Sequence, residues 1–208
     1  SLKSNNSLGV GEFLDLLPTI DWAKSFGLKL IQILPINDTS ATFSNRDSYP
    51  YAAISVFALH PIYLNLEKIW VPKDQLTDLI DKFNSLDTLQ YEEVINVKME
   101  IARAVYAENF EKLVQDKEFS DFITENQHWL NEYALFCLLR DLYKTVNFEQ
   151  WQKYKDFNPS IKLDFEEKEL LFYSFLQYHL HLQLFQVANY AREQGIVLKG
   201  DLPIGIYR

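Results

Sequence analysis

The sequence predicts a helix-rich α/β fold, and three observations carry that reading. A helical pattern over residues 17–26 passes through a glycine into an apolar strand over 28–35. A second passage of the same kind, helix 164–195 into strand 196–206, closes the chain. Between them, residues 72–156 keep a helical pattern and contain no glycine. That stretch reads as an all-helical subdomain inserted between two strands. Helix–strand alternation of this sort belongs to proteins with parallel sheets.

Each element follows from its residues. Gly9 and Gly11 open a turn. Pro18 fits the first turn of a helix, where its missing N–H costs nothing. Leu17, Ile20, Trp22, Ala23 and Phe26 form one apolar face, and Gly27 is a suitable stop. The strand over 28–35 ends at Pro35. Residues 37–50 are rich in Ser, Thr, Asn and Asp and read as a loop. This loop leaves the C-terminal end of a strand, where binding loops collect in α/β folds. Residues 56–66 are apolar and irregular, with a break at His60-Pro61. Helices are expected at about 73–84, 89–115, 119–126 and 129–145. Residues 148–159 are aromatic and polar and lead back from the insertion. The last helix starts after Asp164, a plausible cap with Glu167 three residues on. There is no internal repeat.

Composition narrows the function classes. The chain has 208 residues, 48% hydrophobic and 15% aromatic, which is globular and long enough for a sizeable core. No apolar run approaches the roughly 20 residues of a membrane span. A net charge of -9 without a basic stripe argues against nucleic-acid binding, which relies on phosphate neutralisation. The N-terminal residues lack the apolar core of a secretory signal. The single cysteine, Cys137, excludes an internal disulfide and a cysteine metal cluster, and it suits a reducing cytoplasm. Its apolar neighbours mark it as a buried, inert thiol. His179 and His181 fall on different helix faces and read as packing residues, not joint metal ligands, and His60 reads as structural. There is no phosphate-binding glycine loop, and no cofactor is expected.

Two groups of residues suggest a site. Asp201 follows Gly200 and precedes Leu202-Pro203 in an otherwise apolar strand. An acid there is costly unless it lies at the strand end or is paired, and Pro203 ends the strand. The alternative is an edge acid facing water. The second group is the loop from Asn37-Asp38-Thr39 through Asp47-Ser48-Tyr49-Pro50-Tyr51. It sets short polar side chains beside tyrosine rings, as a sugar site needs. The alternative is a solvated loop with a tyrosine pinned into the core.

These residues resemble a known family. Ser7-Leu8-Gly9-Val10-Gly11-Glu12-Phe13, Ile33-Leu34-Pro35-Ile36-Asn37-Asp38-Thr39, and Asp47-Ser48-Tyr49-Pro50-Tyr51 with Ser55-Val56-Phe57-Ala58-Leu59-His60-Pro61 are similar to the 4-α-glucanotransferases, the amylomaltases or disproportionating enzymes. Phe175-Leu176-Gln177-Tyr178-His179-Leu180-His181 and Leu198-Lys199-Gly200-Asp201-Leu202-Pro203-Ile204-Gly205 continue the match in order. The Asn37-Asp38-Thr39 and Tyr49-Pro50-Tyr51 variants resemble the subtype that acts on maltose and branched glucans.

The resemblance implies a partial (β/α)₈ barrel with about two barrel strands and an inserted helical subdomain. It divides the chain into a barrel segment with the sugar loop (1–71), the helical insertion (72–160) and a long helix with a barrel strand (161–208). It implies transfer of α-1,4-glucan segments by a retaining mechanism with two carboxylates. Tyr51 matches the tyrosine beside the donor sugar, and Asp201 matches a supporting aspartate near it. Asp47, Ser48, Pro50 and Asn37 match the same loop. The nucleophile aspartate and acid/base glutamate are expected beyond Arg208, so no catalytic residue is assigned and the chain is expected to be an inactive part of a longer enzyme. The partners expected are α-glucans or malto-oligosaccharides, with self-association through exposed strand edges. A non-catalytic helical glucan-binding or interaction module is the alternative.

Overall fold

The computed structural model describes residues 2–156 and 158–206. Phe157, in the segment leading back from the insertion, and Arg208 lie outside the described residues. The described chain is a helix-rich α/β structure with few strands. Its helices are α1 (Leu16–Ser25), α2 (Lys73–Asn84), α3 (Tyr91–Leu113), α4 (Lys117–Tyr143) and α5 (Glu167–Glu193). Its strands are β1 (Leu30–Gln32), β2 (Ala52–Ala53), β3 (Val197–Lys199) and β4 (Gly205–Ile206).

The strands form two parallel pairs. Leu30, Ile31 and Gln32 sit opposite Val197, Leu198 and Lys199. Ala52 and Ala53 sit opposite Gly205 and Ile206. Both expected strands are therefore present and paired, but each is shorter than its apolar run. The run over 196–206 makes sheet only at its two ends, and Asp201 lies in the extended gap between β3 and β4. The run over 28–35 stops pairing after the Ile33 N–H, which donates to the Lys199 carbonyl at 2.9 Å. Pro35 has no N–H to continue the ladder and restricts Leu34 before it.

The helices show where local signals lose to tertiary contacts. α1 ends as expected, with Gly27 at φ +73°. α2 has the expected bounds. The two helices expected at 119–126 and 129–145 are one helix, α4. Its polar middle does not break it because the side chains bond inside it. The Thr124 hydroxyl donates to the Ser120 carbonyl at 2.9 Å, Asn126 Nδ2 to the Phe122 carbonyl at 2.8 Å, and Trp129 Nε1 to Asn126 Oδ1 at 3.0 Å. Phe122 and Leu130 meanwhile stay buried on either side of that stretch. α5 starts later than Asp164. That carboxylate instead accepts from Lys153 Nζ at 3.0 Å and the Tyr154 hydroxyl at 2.8 Å. The capping box is made by Glu166 and Glu169.

α5 is the axis of the packing. Phe172, Phe175, Leu176 and Leu180 join Phe13, Ile62, Ile95, Ala102, Leu130 and Cys137 in the main core. Further along α5, Val187 and Ala191 pack with Ile20, Ala23 and Ile196, and with the strand residues Ile31 and Leu198. The other strand faces are uncovered: Leu30, Leu34, Val197, Leu202 and Ile204 are all exposed.

Segment 59–65 runs irregularly through this core, so its backbone groups need side-chain partners. Gln177 donates to the Leu59 carbonyl at 2.9 Å and accepts its N–H at 2.8 Å. Gln183 does the same at Asn65, at 3.0 and 2.8 Å. The Lys98 side chain is 1% exposed, and its Nζ donates to the carbonyls of Ile62 and Leu64 at 2.6 and 2.8 Å. Its third bond is to Glu12 Oε1 at 2.7 Å. Glu12 in turn takes the Leu8 N–H and Asn65 Nδ2. Burial pulls the Lys98 pKa down, and Glu12 pulls it back up.

Lys98→Met leaves the buried Glu12 carboxylate without its counter-charge and two buried carbonyls without a donor, which costs about 3–5 kcal/mol in denaturant unfolding. The Glu12→Gln/Lys98→Met double variant recovers part of that loss. His179 is buried against the rings of Trp70 and Phe175 at 5.1 and 4.6 Å, and its Nε2 has no hydrogen-bond partner among the described residues. Burial lowers its pKa to about 4. The unfolded chain takes up this proton near pH 6.5 and the folded chain does not, so stability falls as pH drops from about 6.5 toward 4. His179→Phe flattens that part of a stability–pH curve, and an unchanged slope contradicts the assignment.

Candidate functional site

The site is built where the segments following β1 and β3 leave the same edge of the parallel pair. After β1 the chain is tied down at once. Asn37 bridges to Leu59, and the Asp38 N–H donates to the Ala58 carbonyl at 2.8 Å. Asn37 Nδ2 donates to the Val56 carbonyl at 2.8 Å.

Asp38 is fully buried and anchors the loop to the helices. Its Oδ1 accepts the Ser40 N–H and hydroxyl at 2.8 and 2.6 Å, and its Oδ2 accepts the Tyr133 hydroxyl at 2.6 Å. Arg140 is also buried. It donates to the Ser40 carbonyl at 2.6 Å, is held by Asp141 at 2.8 Å, and lies over the Phe43 ring at 4.6 Å. Tyr133 and Arg140 are two turns apart on one face of α4. Sequence reasoning missed both. Their polarity within the run Tyr133-Ala-Leu-Phe-Cys-Leu-Leu-Arg140 was the visible signal.

Asp47 shapes the loop from inside. It is 3% exposed. Its Oδ2 accepts the N–H groups of Thr42 and Phe43 at 2.8 and 2.6 Å, and its Oδ1 accepts the Thr42 hydroxyl at 2.9 Å. Those bonds hold Phe43 at φ +53°, a left-handed conformation that costs a non-glycine residue energy. The Asp47 carbonyl takes the Thr39 hydroxyl at 2.5 Å. Ser48 is exposed and donates to the Asn45 carbonyl at 2.7 Å.

The six candidate residues form two groups. Asn37, Asp47, Ser48 and Pro50 line one hollow of about 220 Å³, backed by His60, Tyr63 and Tyr91. His60 is fixed in one tautomer: Nδ1 accepts the Ile62 N–H at 3.1 Å, so Nε2 carries the proton and meets the Tyr91 hydroxyl at 2.8 Å. Burial lowers its pKa. It is a structural residue, as its sequence context suggested.

The second group is Tyr51 and Asp201, 150 residues apart in sequence. The Tyr51 hydroxyl donates to Asp201 Oδ2 at 2.9 Å, and the Leu202 N–H donates to Oδ1 at 2.9 Å. Asp201 raises the Tyr51 pKa by accepting that bond, so the phenol stays a donor at neutral pH. The Gly205 N–H donates to the Tyr51 carbonyl at 3.1 Å. A Cβ on Gly205 would stand 2.6 Å from that oxygen, so only glycine lets β4 approach. The Tyr49 ring lies 5.6 Å from that of Tyr51 and is 60% exposed. The pair thus combines two rings with a half-exposed carboxylate.

Among the described residues there is no cluster of His, Cys, Asp and Glu able to hold a metal, and no helix long and apolar enough to cross a membrane. Cys137 is buried within the core, where burial raises its thiol to about 12.

The structure is thus an α/β frame that presents tyrosines, hydroxyls and carboxylates beyond the ends of parallel strands, the place where ligand sites lie in α/β folds. The family model for 4-alpha-glucanotransferase matches residues 1–208. The chain belongs to the 4-alpha-glucanotransferase family. The rice 4-alpha-glucanotransferase DPE2 (Oryza sativa subsp. japonica) is 42% identical over 219 residues, covering 100% of this chain and 23% of the rice protein. The 4-alpha-glucanotransferase of Chlamydia muridarum is 34% identical over 216 residues, covering 98% of this chain and 39% of its own length. The fold is similar to that of the amylomaltase from Streptococcus agalactiae, solved in complex with acarbose. That match has a TM-score of 0.77 and 19% identity, over 96% of this chain and 41% of that one. The amylomaltase from Corynebacterium glutamicum matches with a TM-score of 0.74 and 19% identity, over 99% and 29%. The chain therefore spans about a quarter to two fifths of the length of these relatives. Membership of an enzyme family disfavours the reading as an independent helical module.

Asp47→Ala removes three bonds that hold Thr42 and Phe43. The expected cost is about 1–3 kcal/mol, with faster proteolytic cleavage between residues 40 and 50. Equal cleavage rates in the variant and the parent protein would show that other contacts fix the loop.

Proposed function

We propose that this chain is part of a 4-α-glucanotransferase that moves α-1,4-glucan segments between maltose, malto-oligosaccharides and glycogen-like polymers. The observation that supports this reading best is the Tyr51–Asp201 contact at 2.9 Å, beyond the C-terminal end of β3. A glucosyl unit offers hydroxyls at its edge and C–H groups on its faces. Asp201 Oδ2 serves as an acceptor for hydroxyls, and the rings of Tyr49 and Tyr51 serve as apolar platforms. The phenol bond fixes the carboxylate before the ligand arrives, which lowers the cost of ordering it on binding. Asn37, Ser48 and Pro50 line the adjoining hollow, and Asp47 holds their loop in shape.

The reaction is a retaining double displacement. A carboxylate attacks the anomeric carbon while a second one protonates the leaving oxygen, and an acceptor sugar hydroxyl then takes the glucosyl group. Both carboxylates belong to parts of the enzyme outside this chain, and the residues here hold and orient the donor. The two parallel strand pairs belong to a partial (β/α)₈ barrel. Its segments are 1–71 and 161–208, with 72–160 as the helical insertion. The uncovered apolar faces of β1 and β3 are where further strands pack. In the 208-residue chain alone the exposed strand edges promote self-association. The reaction needs no cofactor, and the cytoplasm is its expected compartment.

In the full-length protein, Tyr51→Phe and Asp201→Asn each lower kcat/KM for maltotriose about 10- to 100-fold, the size of one charge-assisted hydrogen bond. The 208-residue chain alone releases no glucose from maltotriose. Product from an uncontaminated sample would place a working acid pair within this chain and overturn the assignment.

A further inference from the structure

A hollow of about 540 Å³ opens between α3, the end of α4 and the loop after β1, and the strand-end site does not use it. Three cations line it: Arg103 from α3, and Arg140 and Lys144 from the end of α4. Among the described residues, Asp141 is the one acid in its wall. Three cations against one carboxylate leave a surplus of two positive charges, in a chain whose net charge is -9. Asp141 is already committed. Its Oδ2 accepts from Arg103 Nη2 at 3.0 Å and from the Tyr173 hydroxyl at 2.8 Å, and its Oδ1 accepts from Arg140 Nε at 2.8 Å. Arg140 turns a further donor to the Ser40 carbonyl at 2.6 Å.

The hollow still has donors to offer. The Arg103 guanidinium lies over the Phe172 ring at 4.1 Å, which holds its plane. Only its Nη2 is hydrogen-bonded among the described residues, so Nε and Nη1 remain. Lys144 is exposed, ends α4 at φ +57°, and its ammonium has no ion pair or hydrogen bond among the described residues. The carbonyls at the C-terminus of α4 oppose an anion here, but a helix end carries only about half a charge. The surplus of two outweighs it. A guanidinium fork matches the oxygens of a phosphate or a carboxylate. A phosphate monoester carries roughly -1.5 to -2 at neutral pH, which complements the surplus, whereas one carboxylate leaves much of it unmatched. The volume lies within the range of about 300–1,000 Å³ typical of small-ligand sites. Phe43 and Met99 give the hollow an apolar side, where an organic substituent packs.

We propose that this hollow binds a phosphate dianion, either free or as the monoester of a small organic group. Arg103 and Lys144 hold the phosphate oxygens, and Arg140 adds its charge from beneath while keeping its bond to Ser40. The inference stands on the charge and geometry of the hollow and does not depend on the reaction proposed above. It also ties the ligand to the loop that carries Asn37 and Asp47, because Ala41, Thr42 and Phe43 form one wall. A ligand that fits only while the loop keeps this shape stabilises that shape by mass action. The anion is therefore an effector that steadies the loop from its outer side.

The test is calorimetric titration of the full-length protein with sodium phosphate and with glycerol 3-phosphate. Sodium chloride holds the ionic strength constant, because exposed charges are screened by salt. Saturable binding is expected. Arg103→Gln and Lys144→Asn are each expected to weaken it about tenfold, the scale of one hydrogen bond between charged groups. Asparagine suits position 144 because it tolerates a left-handed backbone. The two substitutions act from different helices, so a folding defect in one leaves the other decisive. At saturating ligand, proteolytic cleavage between residues 40 and 50 is expected to slow severalfold in the parent protein and not in the variants. Tighter binding of glycerol 3-phosphate than of phosphate assigns the site to a monoester, and equal or weaker binding assigns it to free phosphate. No saturable binding, or binding that both variants leave unchanged, overturns the proposal. So does cleavage that the bound anion fails to slow, since it places the anion away from the loop.

Discussion

The rest of the structure depends on how the irregular segment 59–65 is buried. It carries no sheet or helix ladder long enough to satisfy its backbone, yet it lies between α3 and α5. Unpaired buried amides and carbonyls cost about 1–3 kcal/mol each. Side chains from two helices remove that cost. Gln177 and Gln183 each close a two-bond clamp on one residue, and Lys98 closes two carbonyls. The His60 N–H donates to the Ile36 carbonyl, and the other N–H groups bond within the segment: Ile62 to His60 Nδ1, Tyr63 to the His60 carbonyl and Leu64 to the Pro61 carbonyl. The segment is thus fixed from both flanks before any ligand is involved.

That fixation reaches the site. Leu59 pairs with Asn37, and the Asp38 N–H bonds to Ala58, so the loop after β1 takes its position from this segment. Asp38, Tyr133 and Arg140 then fasten the same loop to α4. Asp47 finishes its shape by holding Phe43 in a strained conformation. Tyr51 and Asp201 meet half-exposed at the junction of two strand pairs, beside the exposed Ser48 and Tyr49. The scaffold beneath them is buried and hydrogen-bonded.

The parts of this plan legible in the sequence were those set by local chemistry. Gly27 and Pro18 marked the ends of α1, Pro72 preceded α2, and the apolar runs found both main strands. Asp201 was visible as an acid out of place in an apolar strand, and Tyr51 as a ring at the end of a polar loop. Their contact was not visible, because it spans 150 residues and depends on β4 meeting β2. The polar run before Trp129 read as a break, since nothing local tells that Asn126 bonds back into its own helix. Asp164 read as a cap because its rival partners, Lys153 and Tyr154, lie in a preceding loop. Lys98 was hidden for a different reason: a lysine on a helix with an acidic first turn reads as surface, and only the fold reveals three acceptors converging on it.

Native-state hydrogen exchange of the Leu59 and Asn65 amides tests this account most directly. If helix side chains lock the segment, both amides exchange only on global unfolding, and Gln177→Leu speeds Leu59 while leaving Asn65 slow. Fast exchange of both amides in the unmodified protein would mean that the segment opens locally, and the loop would then have to be positioned by something else.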